Sequence, residues 1–335
     1  TLSLRIIFKI PKLKLNQRRI SNLFQVVKEK TLGYDSFIQE TKDRVQALMG
    51  EDYDVLIKKT IKNNSLERHS LLVLKKGRSI APNIYLEAYY DSYLQGSKLE
   101  EIVDRLYCIY NHCAIPTIKE NFLYDLDDIK QYIICRIINY EKNVEQLKKV
   151  PHIRFLDFAI TYHCLVKNDD EIIGTLRLSN EHIKHWGIDI QELDFLAMEN
   201  TQRLFSAVIR DMDELIREVL LENDEVSEDI IDIFRIDDKK EIVKMYVLSN
   251  KSGVNGANCL LYDNLIKNFA EAIGSDLIII PSSVHEIILV PSCESIPINE
   301  LNEIVKDINR NQVPYDEILS DHVYYFSRER NKIIM

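Results

Sequence analysis

The sequence predicts an α+β protein in which antiparallel sheets carry packed helices, arranged in two or three subdomains. Three observations lead there. Stretches of alternating apolar and polar residues are joined by short polar turns or flank single helices, with no regular strand–helix–strand repeat. Apolar residues make up 46% of the 335 and charged residues 29%, which supports a real core and excludes a disordered composition. Eight prolines and nine glycines are too few for the turns of an all-β sandwich or barrel.

Residues 1–30 read as a basic N-terminal arm, with eight Lys or Arg side chains against Glu29 alone. Such an arm is either a loosely ordered extension or a segment for anionic membranes or nucleic acid. The formal net charge of the chain is −10, so the residues after the arm hold 35 basic and 52 acidic groups, a net of −17. A body this acidic repels a phosphate backbone, which excludes general nucleic-acid binding by it.

Residues 31–116 are expected to form an α-β-β-α domain. A helix over Tyr34–Met49 stops at Gly50, and strands Tyr53–Ile61 and His69–Lys76 flank a polar loop at Asn63-Asn64-Ser65. Ser97 then opens a helix with Glu100 in capping-box position and Leu99, Ile102, Val103, Leu106, Ile109, Tyr110 and Cys113 at helical spacing. Tyr85, Tyr89, Tyr90 and Tyr93 either pack a helix onto the strands or form a surface that stacks a ligand or partner.

Residues 117–335 are expected to form an α+β region, divided by an acidic linker near 222–240. Its elements begin with a long helical stretch from Leu126 to Val150. A hairpin of Asp157–Val166 with Ile172–Leu178 follows, then helices at Gln191–Glu199 and Leu204–Leu221. Beyond the acidic segment come strand Val243–Ser249, a Gly/Asn loop and helix Tyr262–Ile273. The strand pair Asp276–Ile280 and His285–Val290, helix Asn299–Asn309 and strand His322–Ser327 complete the region.

Several strings, taken together, resemble an uncharacterised bacterial family of unknown function, family 5688. They include Pro151-His152-Ile153-Arg154-Phe155-Leu156-Asp157, Trp186-Gly187, Glu199-Asn200-Thr201 and Met245-Tyr246-Val247-Leu248-Ser249-Asn250. Pro281-Ser282-Ser283-Val284-His285-Glu286 and Pro314-Tyr315-Asp316-Glu317-Ile318-Leu319-Ser320-Asp321 complete the set. The resemblance covers about residue 34 to the end. It implies a bacterial cytoplasmic protein and brings no activity, cofactor or catalytic residue.

Six cysteines without a CxxC pair read as reduced, mostly buried apolar residues, and no apolar run approaches the roughly 20 residues that span a bilayer. Arg5, Lys9 and Pro11 interrupt any signal-peptide core, so a cytoplasmic location is expected. No metal or cofactor is expected. His182 and His185 fall about 60° apart on a helix, but Ile183 and Trp186 make the same segment an ordinary amphipathic turn.

Two segments could carry chemistry. In the first, Ser282, Ser283 and His285 invite a nucleophile–base reading and hence a hydrolase. If His285 begins a strand, however, Glu286 points to the opposite face and cannot orient it. The second is the 250–257 loop, where Asn250, Lys251, Ser252, Asn255 and Gly256 precede a helix and suggest a nucleotide or anion site. The loop lacks the terminal Gly-Lys-Ser/Thr of a phosphate loop and the GxGxxG spacing. The preferred expectation is a non-enzymatic binding or regulatory module for a protein partner or small-molecule ligand.

Overall fold

The structure is a computed structural model that describes residues 32–77, 81, 83–112, 122–168, 173–222, 244–292 and 297–335. The basic arm and most of the acidic linker lie outside the described residues. The protein is α+β with three antiparallel sheets among the described residues. The described residues form two compact units, one within 32–62 and 66–122, the other of 63–65 with the described residues from 123 to 335.

In the smaller unit, α1 (Tyr34–Met49) runs into Gly50, whose φ of 76° a glycine adopts without steric cost. Strands β1 (Tyr53–Ile61) and β2 (Glu67–Lys75) pair from Tyr53↔Lys75 to Ile61↔Glu67, and the two-residue β3 (Ile84–Tyr85) joins β2. Helices α2 (Glu87–Leu94) and α3 (Leu99–His112) complete the unit. The helical spacing of Leu99, Ile102, Val103, Leu106 and Tyr110 does place them in the core, with Phe37, Val45, Val55 and Leu71. Glu100 forms an ion pair with Arg44 at 2.5 Å. Tyr90 donates to the Leu32 carbonyl, Tyr93 accepts the Leu32 N–H, and both rings pack on Phe37, as the packing alternative expects for these two.

The larger unit corrects two expectations. The long helix from Leu126 is one turn, α4 (Leu126–Ile129), followed by β4 (Ile133–Asn139) and a second single turn, α5 (Val144–Leu147). Four isoleucines in β4 are stiff at χ1 and suit a strand, and most of its residues are buried on both faces. The helix expected from Leu204 to Leu221 is divided in the same way. Ala207–Asp211 is strand β8, and the helix begins only at α8 (Met212–Glu222). Here Val208 and Ile209 favour the ladder with β9 (Tyr246–Asn250).

The hairpin expected beyond Asp157 is present as β6 (Phe158–Asn168) and β7 (Ile173–Arg177). Strand β4 pairs along one edge of β6, while β5 (His152–Phe155) and β7 share its other edge, which completes a four-stranded sheet. One face is covered by α7 (Ile190–Leu204), whose Asp194 accepts from Tyr162 at 2.8 Å. The other face carries Arg136, Thr161, His163 and Arg177, because cross-strand partners share a face.

The six-stranded sheet has the order β13-β12-β10-β11-β9-β8 in chain-order labels, with β10 (Leu277–Ser283), β11 (Glu286–Pro291), β12 (Tyr324–Ser327) and β13 (Lys332–Ile334). Met212 and Ile216 of α8 and Val305 of α10 (Ile298–Asn311) pack on Val247, Ile278, Ile288 and Val290 of one face. Between β9 and α9 (Leu265–Ile273) the residues Gly256–Leu261 form a buried 3-10 turn, shortening the helix expected from Tyr262.

His163 is buried, and both desolvation and the charges of Arg136 and Arg177 hold its imidazole well below the ordinary value of 6.5. Below that value the unfolded chain binds a proton that the folded chain refuses, so stability falls as pH falls. The slope approaches about 1.4 kcal/mol per pH unit. Melting curves between pH 7 and pH 5 should therefore show a shallower acid-side loss for His163→Gln than for the parent. Equal slopes would contradict this account.

Candidate functional site

The segment between α10 and β12 has little regular structure, so side chains must satisfy its backbone groups. Four buried asparagines from distant positions do much of this. Asn64 donates to the carbonyls of Tyr315 and Ile318, both at 2.7 Å, and Asn139 donates to that of Leu319 at 3.1 Å. Asn309 of α10 donates to Ser320 O and to Asp321 Oδ1, both at 2.8 Å. Asn143 ties the set together, accepting Asn64 N–H at 2.8 Å and donating to Asn139 O at 2.8 Å. Asn64 sits at φ 58°, a left-handed conformation that asparagine tolerates better than most residues.

This framework fixes one wall of a cavity of about 380 Å³, lined by Lys142, Lys306, Asn309, Arg310, Val313, Tyr315, Ile318 and Asp321. The lining holds three cations and one carboxylate. Asp321 is already engaged, by Asn309 and by Lys142 Nζ at 3.4 Å. Lys142 also lies 5.8 Å over the Tyr315 ring, and Lys306 pairs with exposed Glu303 at 2.8 Å. Arg310 is exposed and its guanidinium makes no hydrogen bond or ion pair among the described residues.

Next to Asp321 lies a second polar cluster. Asp157, at the turn between β5 and β6, accepts the Ser320 hydroxyl at 2.7 Å and also the Tyr324 phenol. His322 Nδ1 stands 3.5 Å from the same carboxylate. Serine, histidine and aspartate thus meet, but the serine hydroxyl bonds the carboxylate, whereas a nucleophile would bond the imidazole. Ser320 and Tyr324 are buried, whereas the His322 side chain is about half exposed, so the serine and the phenol belong to a structural network at the foot of Asp157. Burial and the Asp157 charge push the Tyr324 phenol pKa up, so it remains a donor.

Ser282, Ser283 and His285 lie together at the β10–β11 hairpin without forming a nucleophile–base pair. Strand β11 begins at Glu286, so His285 belongs to the turn and is not the first strand residue expected. Ser282 donates to Glu286 Oε1 at 3.3 Å, and Ser283 Oγ accepts the His285 N–H at 3.0 Å. The imidazole accepts Asn255 N–H at Nδ1, 3.1 Å away, and turns Nε2 toward Glu317 at 3.9 Å.

The 250–257 loop folds on itself. Asn250 donates to Val254 O at 2.9 Å and accepts the Ser252 hydroxyl at 2.8 Å, while Lys251 is exposed. Gly256 permits a close approach, but the approaching groups are the protein's own: the Ser249 hydroxyl and the backbone of Asn250 and His285. On the helix α6 (Asn180–Trp186), His182 accepts Ser179 N–H at 2.9 Å and stacks on Trp186, while His185 packs edge-on against Tyr124. No group of three or more potential metal ligands occurs among the described residues. No described helix is long and apolar enough to cross a membrane.

Fold and site together define an α+β protein with a polar, cation-rich cavity. A family model described as a family of unknown function (DUF5688) matches residues 34–328, and the chain belongs to that family. No curated protein and no solved structure matches the chain.

Proposed function

We propose that this chain is a non-enzymatic binding module whose cavity beside Asp321 takes a small anionic molecule. The observation that carries the reading is the charge of the lining: Lys142, Lys306 and Arg310 face one carboxylate that is already bonded on both oxygens. About 380 Å³ lies within the range of small-molecule pockets. A hydrolase at Ser282 or Ser283 would need a hydroxyl on the His285 imidazole, and the bonds those side chains make favour binding over catalysis. The 250–257 loop supports an anion site less well than the cavity does, because its polar side chains bond within the loop. A reducing compartment such as the cytoplasm suits the free thiols Cys108, Cys135, Cys164 and Cys259.

Thermal-shift titration with inorganic phosphate, a nucleoside monophosphate and citrate tests the reading. At least one should raise the midpoint by roughly 5–10 °C at a hundredfold excess over its dissociation constant. The combined change Lys306→Glu and Arg310→Glu should abolish that rise. No rise with any of the three, or one that survives the charge reversal, would remove the proposal.

A further inference from the structure

Charge accounts for only part of the cavity beside Asp321. Lys306 and Arg310 lie four residues apart on α10 and so share one helical face. The stretch after that helix supplies the apolar remainder of the lining, Val313, Tyr315 and Ile318. Val313 and Ile318 are buried, whereas Tyr315 is 50% exposed. A large aromatic ring left half in water at a cavity wall is unused stacking surface, because covering it is favourable. Asn64 pins the backbone here through the carbonyls of Tyr315 and Ile318, so the ring stands on a fixed framework. Lys142 lies over the ring at 5.8 Å, the outer limit of cation–π attraction, and is itself held by Asp321. A stacked ring would cover far more of the tyrosine than this distant ammonium does.

Asp321 is the second discriminating group. A carboxylate in a cation-rich cavity repels a bare anion. Yet it offers about four lone-pair sites, of which Asn309 and Lys142 each use one. The sites left over suit a hydroxyl or amine donor on the ligand. A molecule that uses the whole lining therefore combines three parts: an anionic group for Lys306 and Arg310, a donor for Asp321 and a planar ring for Tyr315. Inorganic phosphate and citrate lack the ring.

Taking the cavity to bind anions as proposed above, we infer that its ligand is a nucleoside monophosphate. The phosphate meets Lys306 and Arg310, the ribose hydroxyls donate toward Asp321, and the base stacks on Tyr315. Stacking on an aromatic side chain is largely indifferent to which base is present. The site therefore selects nucleotides over other anions without choosing strongly among bases.

Calorimetric titration with adenosine monophosphate and with ribose phosphate, which carries the sugar and the phosphate without the base, tests this. The parent should bind the nucleotide roughly tenfold more tightly than the sugar phosphate. Tyr315→Leu should bring the two affinities together, and Tyr315→Phe should keep them apart. Equal affinities in the parent would overturn the inference and leave the anion reading standing. So would a nucleotide advantage that survives Tyr315→Leu. Binding of neither ligand would remove the anion reading and the inference with it. Should Tyr315→Leu fail to fold, parent crystals soaked in adenosine monophosphate decide alone. A base lying on the Tyr315 ring supports the inference; a base placed anywhere else refutes it.

Discussion

Gly256→Ala is expected to lower the unfolding free energy by more than about 3 kcal/mol, read from the urea midpoint at constant m-value. A Cβ at this position would run into Ser249 Oγ and His285 O, and would stand 2.8 Å from Asn250 N. The first two atoms are themselves joined, since Ser249 donates to His285 O at 2.8 Å. The substitution therefore pushes β9 away from the β10–β11 turn at the place where a hydrogen bond holds them together. Ser249→Ala in the same chain should recover little, because two of the three obstructing atoms are backbone. A loss below about 1 kcal/mol for Gly256→Ala would show that the turn yields more easily than its packing implies.

Asp157→Ala should cost on the order of 3–5 kcal/mol. Its carboxylate accepts both the Ser320 hydroxyl and the Tyr324 phenol, and those two side chains are 0% and 1% exposed. Removing the acceptor strands two donors away from water, although Tyr324 keeps its 2.8 Å bond to Ser320 Oγ. Asp157→Asn should cost less, because the amide oxygen still accepts one of them. Comparable midpoints for the alanine variant and the parent would mean that the cluster contributes nothing to folding.

Where periodicity was strong, the sequence disclosed the structure. The stripe on α3 follows from side-chain direction alone and is present; β6 is the strand expected there, but its first eight residues are buried on both faces. Apolar runs buried on both faces were less readable. Ile133–Asn139 lacks the two-residue alternation of a half-exposed strand, and the helix signal at its start spread over it. The site was hardly legible at all. Lys142, Arg310 and Asp321 are far apart in the chain, and surface charges of this kind occur throughout it. The asparagines that hold the cavity wall had a faint signal, as polar residues beside or within otherwise apolar stretches. Asn63-Asn64 stood out only as a loop, although Asn64 proves to be 1% exposed. A glycine at 256 permits close approach of other groups, but sequence alone does not say that these are the protein's own Ser249, Asn250 and His285.

The two sheets of the larger unit impose different demands on the order of assembly. All four strands of one come from Ile133–Arg177, so their pairings close short loops. In the other, Ala207 must find Asn250 and Leu277 must find Phe326 before the ladder is complete. Long loop closures carry an entropy cost that is met before the contacts reward it, and they slow the search. The cavity wall, carried by the stretch just before β12, is therefore expected to take shape late in folding.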